Sequence, residues 1–307
     1  MTLSILAALV GVFLGSLIGD WVARKIKWID EPSVEIVTLS ESSNTETLIV
    51  YLPGILANAT MIPERMTTSW SRYGVVLGVN YLSPRFRPEK IVDAVARRLL
   101  LQFSGDLRLK NVVLIGSSMG GMLAYDIHQK LKDEERMRGV QVSLMPVDAP
   151  TGRKDLHRLL ANTSWVVRIL PFGPLWNHLS RPIMRRFLVI PPKKGEIDAD
   201  VDLDWLDQQV EGARGFPLSF WRDEVMYILS HGALKADSID ASLIYIRSTK
   251  DDDTVRPEAA DKWRQAMSSK SSRSFMLDAE GAKHAAYAQN PRAYEEVFPV
   301  AFRLLGV

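Results

Sequence analysis

Three residue types that together can cleave an ester stand in order along this chain. Ser118 lies at the centre of Gly116-Ser117-Ser118-Met119-Gly120, a G-x-S-x-G match. An aspartate run, Asp251-Asp252-Asp253, follows much later, and His284 later still. A serine hydroxyl alone is a weak nucleophile. It needs a base to take its proton, and the base needs an acid to orient it and stabilise its protonated form. A serine, an imidazole and a carboxylate brought together would perform acyl transfer through a covalent intermediate.

The residues around Ser118 give the motif its context. Val112 to Ile115 is a short apolar run that predicts a buried strand, and Met122, Leu123, Tyr125, Ile127 and Leu131 predict a helix directly after the motif. Between them the serine must sit on a sharp strand-to-helix bend, its hydroxyl projecting from the tip. Side chains two residues before and two after would collide with that bend, and both positions are glycine, Gly116 and Gly120. Behind the serine lies a helix N-terminus with free N–H groups and a partial positive charge. The N–H of Met119 is therefore a candidate donor to the oxyanion of a tetrahedral intermediate.

The base must come from five histidines, His128, His157, His178, His231 and His284. His128 is too far down the helix that starts after Ser118 to turn back to it. His157, His178 and His231 fall in a middle segment with little strand patterning. His284 follows the last predicted strand and precedes the last helix, so its loop can return to the carboxyl edge of the sheet. For the acid, the register Asp252-Asp253-Thr254-Val255-Arg256-Pro257 favours Asp252. Val255 can tuck into the core while Pro257 starts a helix. Asp251 is the nearest competitor, and Asp148, at the end of an earlier strand, is a third.

These residues need elements to position them. Strands are predicted at Val34 to Leu39, Thr47 to Leu52, Val75 to Val79, Val112 to Ile115, Val140 to Met145, Leu243 to Ile246 and Ser274 to Leu277. Helices are predicted at Glu64 to Tyr73, Pro88 to Phe103, after Ser118, Pro257 to Met267 and Pro291 to Leu305. Residues 268–274 read as a short flexible loop. Alternating strands and helices imply an α/β fold, a mostly parallel sheet covered on both faces. Residues 151–235 break the rhythm and read as a helical cap insertion on the carboxyl side of the sheet, where open α/β sheets bind ligands.

The order Ser118, Asp252, His284 resembles that of the α/β-hydrolase superfamily, nucleophile then acid then histidine. The likeness covers roughly residues 34–150 and 236–307. The division that follows is an N-terminal hydrophobic helix at 1–28, an α/β-hydrolase core at 29–150 and 236–307, and a cap or lid at 151–235. The resemblance implies a serine esterase or lipase-like enzyme with a catalytic triad and no metal or organic cofactor. In the family, the loop after the third strand carries an oxyanion donor, often as His-Gly followed by the donor residue. Here that stretch is Leu52-Pro53-Gly54-Ile55-Leu56. Pro53 replaces the histidine and the glycine is kept. The resemblance thus implies the N–H of Ile55 as the second donor beside Met119, with Leu56 a possible substitute. Members that attack with an aspartate, such as haloalkane dehalogenases and epoxide hydrolases, are disfavoured by Ser118.

Composition sets outer bounds. The 307 residues fit one large domain or a core with an insertion, and 47% hydrophobic residues suffice for a core. A formal net charge of +2 gives no reason to expect a nucleic-acid partner. There is no cysteine, which excludes disulfides, thiolate metal sites and a cysteine nucleophile. Leu3 to Gly19 is apolar apart from Ser4 and Ser16. As a helix it spans roughly 25 Å, and Trp21, Val22 and Ala23 extend it toward the ~30 Å of a hydrocarbon core. Arg24, Lys25, Lys27, Trp21 and Trp28 then form a basic and aromatic girdle. The reading is an uncleaved membrane anchor with the catalytic part on the cytoplasmic side; export is the alternative. Ala7, Gly11, Gly15 and Gly19 form a small-residue stripe through which the anchor could self-associate.

The expected substrate is a small-molecule ester, lipophilic if Phe172, Leu175, Trp176, Phe216 and Phe220 line an acyl pocket. The same residues could instead form the cap's own core. Acyltransferase, thioesterase or peptidase chemistry could run on the same triad. A non-catalytic, membrane-bound interaction module is the remaining alternative.

Overall fold

The computed structural model describes residues 34–82, 85–105, 108–157, 189, 191–250, 254–268 and 273–307, with isolated positions at 10–12, 14–15, 18–19, 22 and 182. Seven strands form one sheet. They are β1 (Val34–Ser40), β2 (Thr47–Leu52), β3 (Val75–Tyr81), β4 (Asn111–Ser117), β5 (Gln141–Val147), β6 (Ser242–Ser248) and β7 (Ser274–Ala279). Their order across the sheet is β1-β3-β2-β4-β5-β6-β7. β1 pairs antiparallel with β3, and every other pair is parallel.

Among the described residues the complete helices are α1 (Glu64–Trp70), α2 (Pro88–Gly105), α3 (Met119–Leu131), α4 (Leu203–Arg214), α5 (Leu218–Ser230), α6 (Glu258–Gln265) and α7 (Pro291–Leu305). Alternation along the strands sorts the core into two layers. Leu48, Val50 and Leu52 of β2 and Val112 and Leu114 of β4 face one layer, with Ile91, Val95 and Leu99 of α2, Met122 and Ile127 of α3 and Trp263 of α6. Ile49 and Tyr51 of β2 and Val113 and Ile115 of β4 face the other, with Met66 and Trp70 of α1 and Tyr294, Phe298 and Phe302 of α7. Both faces are thus dry, which is why β2 and β4 read as unbroken apolar runs rather than alternating ones.

All seven sequence-predicted strands are present, most of them one or two residues longer than the apolar runs that signalled them. The helix expected over Glu64 to Tyr73 ends at Trp70, because the chain must turn into β3. A Cβ on Gly74 would lie 2.5 Å from the Thr47 carbonyl oxygen, so the turn is tight there. Of residues 268–274, the expected flexible loop, 269–272 lie outside the described residues.

Between β5 and β6 the described chain contains α4 and α5 and no strand. Neither helix was located from sequence, although Asp202 carried a signal. Its side chain accepts from the N–H groups of Asp204 and Trp205 at 3.0 and 3.1 Å, an N-cap that opens α4.

The N-terminal anchor expected over residues 1–28 falls mostly outside the described residues. Val10, Val12, Leu14, Ile18 and Val22 are helical and exposed. Among the described residues, however, no helix is long and apolar enough to cross a membrane. Of the small-residue stripe, Ala7 lies outside the described residues, and nothing described packs against Gly11, Gly15 or Gly19.

Candidate active site

Ser118 occupies the bend between β4 and α3 with φ 50° and ψ −118°, a conformation that side chains disfavour. Packing holds it there. The Ser118 N–H donates to the Val147 carbonyl of β5 at 2.8 Å, and the Gly121 N–H donates to the Ser118 carbonyl at 3.0 Å. A Cβ on Gly120 would sit 2.0 Å from the Leu52 carbonyl oxygen, and one on Gly116 would sit 2.4 Å from that of Gly120. Both glycines are therefore required by backbone contact, as their spacing predicted.

His284 reaches the same point from the loop after β7. Its Nε2 lies 2.9 Å from Ser118 Oγ, within hydrogen-bonding distance. That loop is braced from several directions. The Ala285 N–H donates to Asp148 Oδ2 at 2.7 Å, and Ala285 itself has a positive φ of 44°. The Tyr294 hydroxyl of α7 donates to the Lys283 carbonyl at 3.0 Å and accepts from the Ala286 N–H at 3.2 Å. Asn290 Oδ1 accepts from the Lys283 N–H at 3.3 Å.

Asp148, the third acid candidate, is buried at the end of β5, also with a positive φ, 47°. Its other oxygen accepts from the Ser248 N–H of β6 at 2.8 Å. One carboxyl group thus ties the end of β6 to the histidine loop, and the two backbone N–H groups offset its burial. Asp252, the favoured acid, and its competitor Asp251 lie outside the described residues.

Of the other histidines, His128 is buried on α3 and lies 2.9 Å from Asp240. His231 Nε2 lies 3.1 Å from Asp126 Oδ1. The backbone N–H of His157 donates to the Thr254 carbonyl, and His178 lies outside the described residues. Among the described histidines, only His284 is brought to Ser118.

Met119 opens α3 beside the nucleophile, and Ile55 lines the cleft from the Leu52–Asn58 loop. Among the described residues neither backbone N–H has a hydrogen-bond acceptor. Leu56, the substitute donor, is already engaged. Its N–H donates to both carboxyl oxygens of Glu224 on α5, at 3.2 and 3.1 Å. The Gly54 position is tight, with a notional Cβ 3.3 Å from the Ser117 carbonyl oxygen, which brings the two loops into contact.

The cleft over Ser118 has a volume of about 370 Å³. Its apolar wall includes Ile55, Met61, Val189, Leu206, Val210 and Ala213, so the helix between β5 and β6 helps to enclose it. Tyr51 and Tyr287 also line it. Burial pushes both phenols up, so they stay neutral and cannot act as bases near pH 7. Neither was singled out from sequence, since a tyrosine in an apolar strand reads simply as core. Phe216 and Phe220, expected either in an acyl pocket or in the cap's own core, do neither: they do not line the cleft, and they are buried in the same core layer as Leu48 and Val50 of β2. They stack on each other at 4.8 Å, and Phe86 packs edge-on against Phe220 at 5.8 Å. Phe172, Leu175 and Trp176 lie outside the described residues.

A larger cavity, about 610 Å³, lies among Thr151–Lys154, His231 and Lys262, away from Ser118. Among the described residues no group of three or more His, Asp or Glu side chains is placed to hold a metal.

A family model described as "Alpha/beta hydrolase family" matches residues 51–297. No curated protein matches the chain significantly. Many solved structures share the fold. An esterase from Exiguobacterium antarcticum aligns with a TM-score of 0.60 at 14% identity, covering 88% of this chain and 94% of its own. The type II thioesterase of a borrelidin biosynthetic cluster aligns at 0.56 and 17% identity, covering 87% and 97%. A bromoperoxidase from Bacillus anthracis aligns at 0.59 and 14% identity, covering 88% and 99%. At these identities the likeness is one of fold, and it spans proteins named for different reactions.

Proposed function

The chain belongs to the alpha/beta hydrolase family, and we propose that it is a serine hydrolase that cleaves a lipophilic carboxylic ester through an acyl-enzyme on Ser118. The observation that carries this reading is the 2.9 Å approach of His284 Nε2 to Ser118 Oγ at the carboxyl edge of the sheet. His284 takes the hydroxyl proton as Ser118 attacks the carbonyl carbon. The N–H groups of Met119 and Ile55 receive the oxyanion, each such donor contributing about 3 kcal/mol to transition-state stabilisation. His284 then passes its proton to the leaving alcohol. Water, deprotonated by the same imidazole, releases the acid.

Asp252 is kept as the acid on the family order alone, its proposed role being to fix the imidazole tautomer. An ester suits the apolar wall of the cleft, where an acyl chain would displace water from Met61, Leu206 and Val210. Residues 151–235 are assigned as the cap on the same ground, because α4 supplies part of that wall.

A fluorophosphonate probe tests the reading directly. It is expected to label the wild-type protein covalently and to leave Ser118→Ala unlabelled. A 4-nitrophenyl ester series is expected to favour acyl chains longer than acetate. Labelling that persists in Ser118→Ala, or activity on peptide bonds alone, would reject it.

A further inference from the structure

Glu224 is fully buried on α5, in the segment assigned as the cap, yet it faces the oxyanion loop of the core. Among the described residues its partner is the Leu56 N–H, which bridges both carboxyl oxygens at 3.1 and 3.2 Å. Leu56 adopts φ 55°, in the left-handed region. For a branched side chain that costs on the order of 1–2 kcal/mol, so a partner must hold it there.

Two further bonds fix the same loop. The Tyr81 hydroxyl donates to the Pro53 carbonyl at 3.0 Å, and Asn58 Oδ1 accepts from the Tyr81 N–H at 2.8 Å. Ile55 lies between the two anchored ends. Among the described residues its N–H has no acceptor.

We infer that Glu224 is a positioning residue, whose carboxyl holds Leu56 in its strained conformation and so aims the Ile55 N–H at the oxyanion. The inference rests on the acyl-transfer reading of Ser118. It makes α5 a determinant of turnover although α5 contributes no group to the reaction. What the site needs at this position is an acceptor rather than a charge. Burial with no described cation beside it pushes the Glu224 carboxyl well above its usual range, and nearby Asp223 pushes the same way. Asp223 is itself paired with Arg85.

The test compares Glu224→Met, which fills the space without an acceptor, with Glu224→Gln, which keeps one. Hydrolysis of 4-nitrophenyl butyrate and inhibition by butylboronic acid, which forms a tetrahedral adduct on the serine, are the readouts. Glu224→Met is expected to lose 10- to 100-fold in kcat with KM within about twofold. Boronate affinity should fall by a similar factor, and Glu224→Gln should recover most of both. Equal losses in the two variants, or a loss confined to KM, would overturn the inference.

If Glu224→Met does not fold, hydrogen exchange on the wild-type protein decides. The Leu56 amide should be protected, and exchange at the rate of an exposed loop amide would count against the inference. Fluorophosphonate labelling of the wild type keeps the two questions apart. A labelled wild type with an indifferent Glu224 defeats only this inference, whereas an unlabelled wild type defeats the reading beneath it.

Discussion

The turn Gly116–Gly120 and the loop Leu52–Asn58 meet at Ser118, and they are shaped by opposite means. The turn is dictated by its own sequence. Its glycines are required because the Gly120 carbonyl oxygen and the Leu52 carbonyl oxygen leave no room for a Cβ. The loop carries no such rule. It is held by Tyr81 on the neighbouring strand and by Glu224, 168 positions further along the chain. One half of the candidate oxyanion hole is therefore signalled by local sequence. The other half exists only once the sheet and the helices between β5 and β6 have come together. The turn tolerates no side chain at its glycines, because β2 crowds Gly120 and the turn's own backbone crowds Gly116. A distributed device tolerates many substitutions but fails when a remote anchor is lost.

The severest test lies in a second distributed element. His284 owes its position to Asp148 and Tyr294, which brace its loop from β5 and α7. His284→Ala removes the base and leaves the turn intact. The expected fall in kcat/KM toward 4-nitrophenyl butyrate is about 10⁴-fold or more, with thermal stability close to wild type. A fall of less than tenfold would mean that another group deprotonates Ser118.

The local element should break differently. In Gly120→Ala the new methyl meets the Leu52 and Pro53 carbonyl oxygens, which belong to a central strand and its loop and cannot yield cheaply. The expected cost is about 3 kcal/mol or more, read as a lower urea midpoint at unchanged m-value. Activity should fall with it, because Pro53 opens the oxyanion loop. A folded variant of wild-type stability would show that the turn is less tightly constrained than its contacts indicate.

This contrast also accounts for what could be read from the chain before folding. The strands β2 and β4 were legible because burial on both faces leaves an unbroken apolar run. Ser118 was legible because the bend forces glycine at fixed offsets. His284 could be selected by topology, since it follows the last strand. Glu224 could not. A glutamate on an amphipathic helix reads as solvated surface, and only the approach of α5 to the Leu52–Asn58 loop makes it interior. Leu56 gave no sign either, because a positive φ at leucine has no sequence signature. Ile55 was reached only through resemblance to a family, and the loop that presents it departs from that family at Pro53.

The mildest prediction separates the acceptor role of Glu224 from its charge. The unfolded carboxyl titrates near pH 4.3, whereas burial raises it in the folded protein. The folded state therefore binds the proton more tightly. The stability this proton supplies is fully present below the unfolded value. It is lost as pH climbs from there through the folded value, at no more than about 1.4 kcal/mol per pH unit. Glutamine has the shape of the protonated acid and nothing to lose. Glu224→Gln should therefore match the wild type in melting temperature near pH 4 and exceed it by several degrees at pH 8, about 2–4 °C for each kcal/mol. Taking the difference between the two proteins cancels Asp223, Tyr81 and every other titrating group that they share. A constant difference across that range would mean that folding leaves the carboxyl's titration unchanged, so that it is ionised in the folded protein over most of this range. Glu224 would then hold Leu56 through charge, and the loop would answer to electrostatics where the turn answers to sterics.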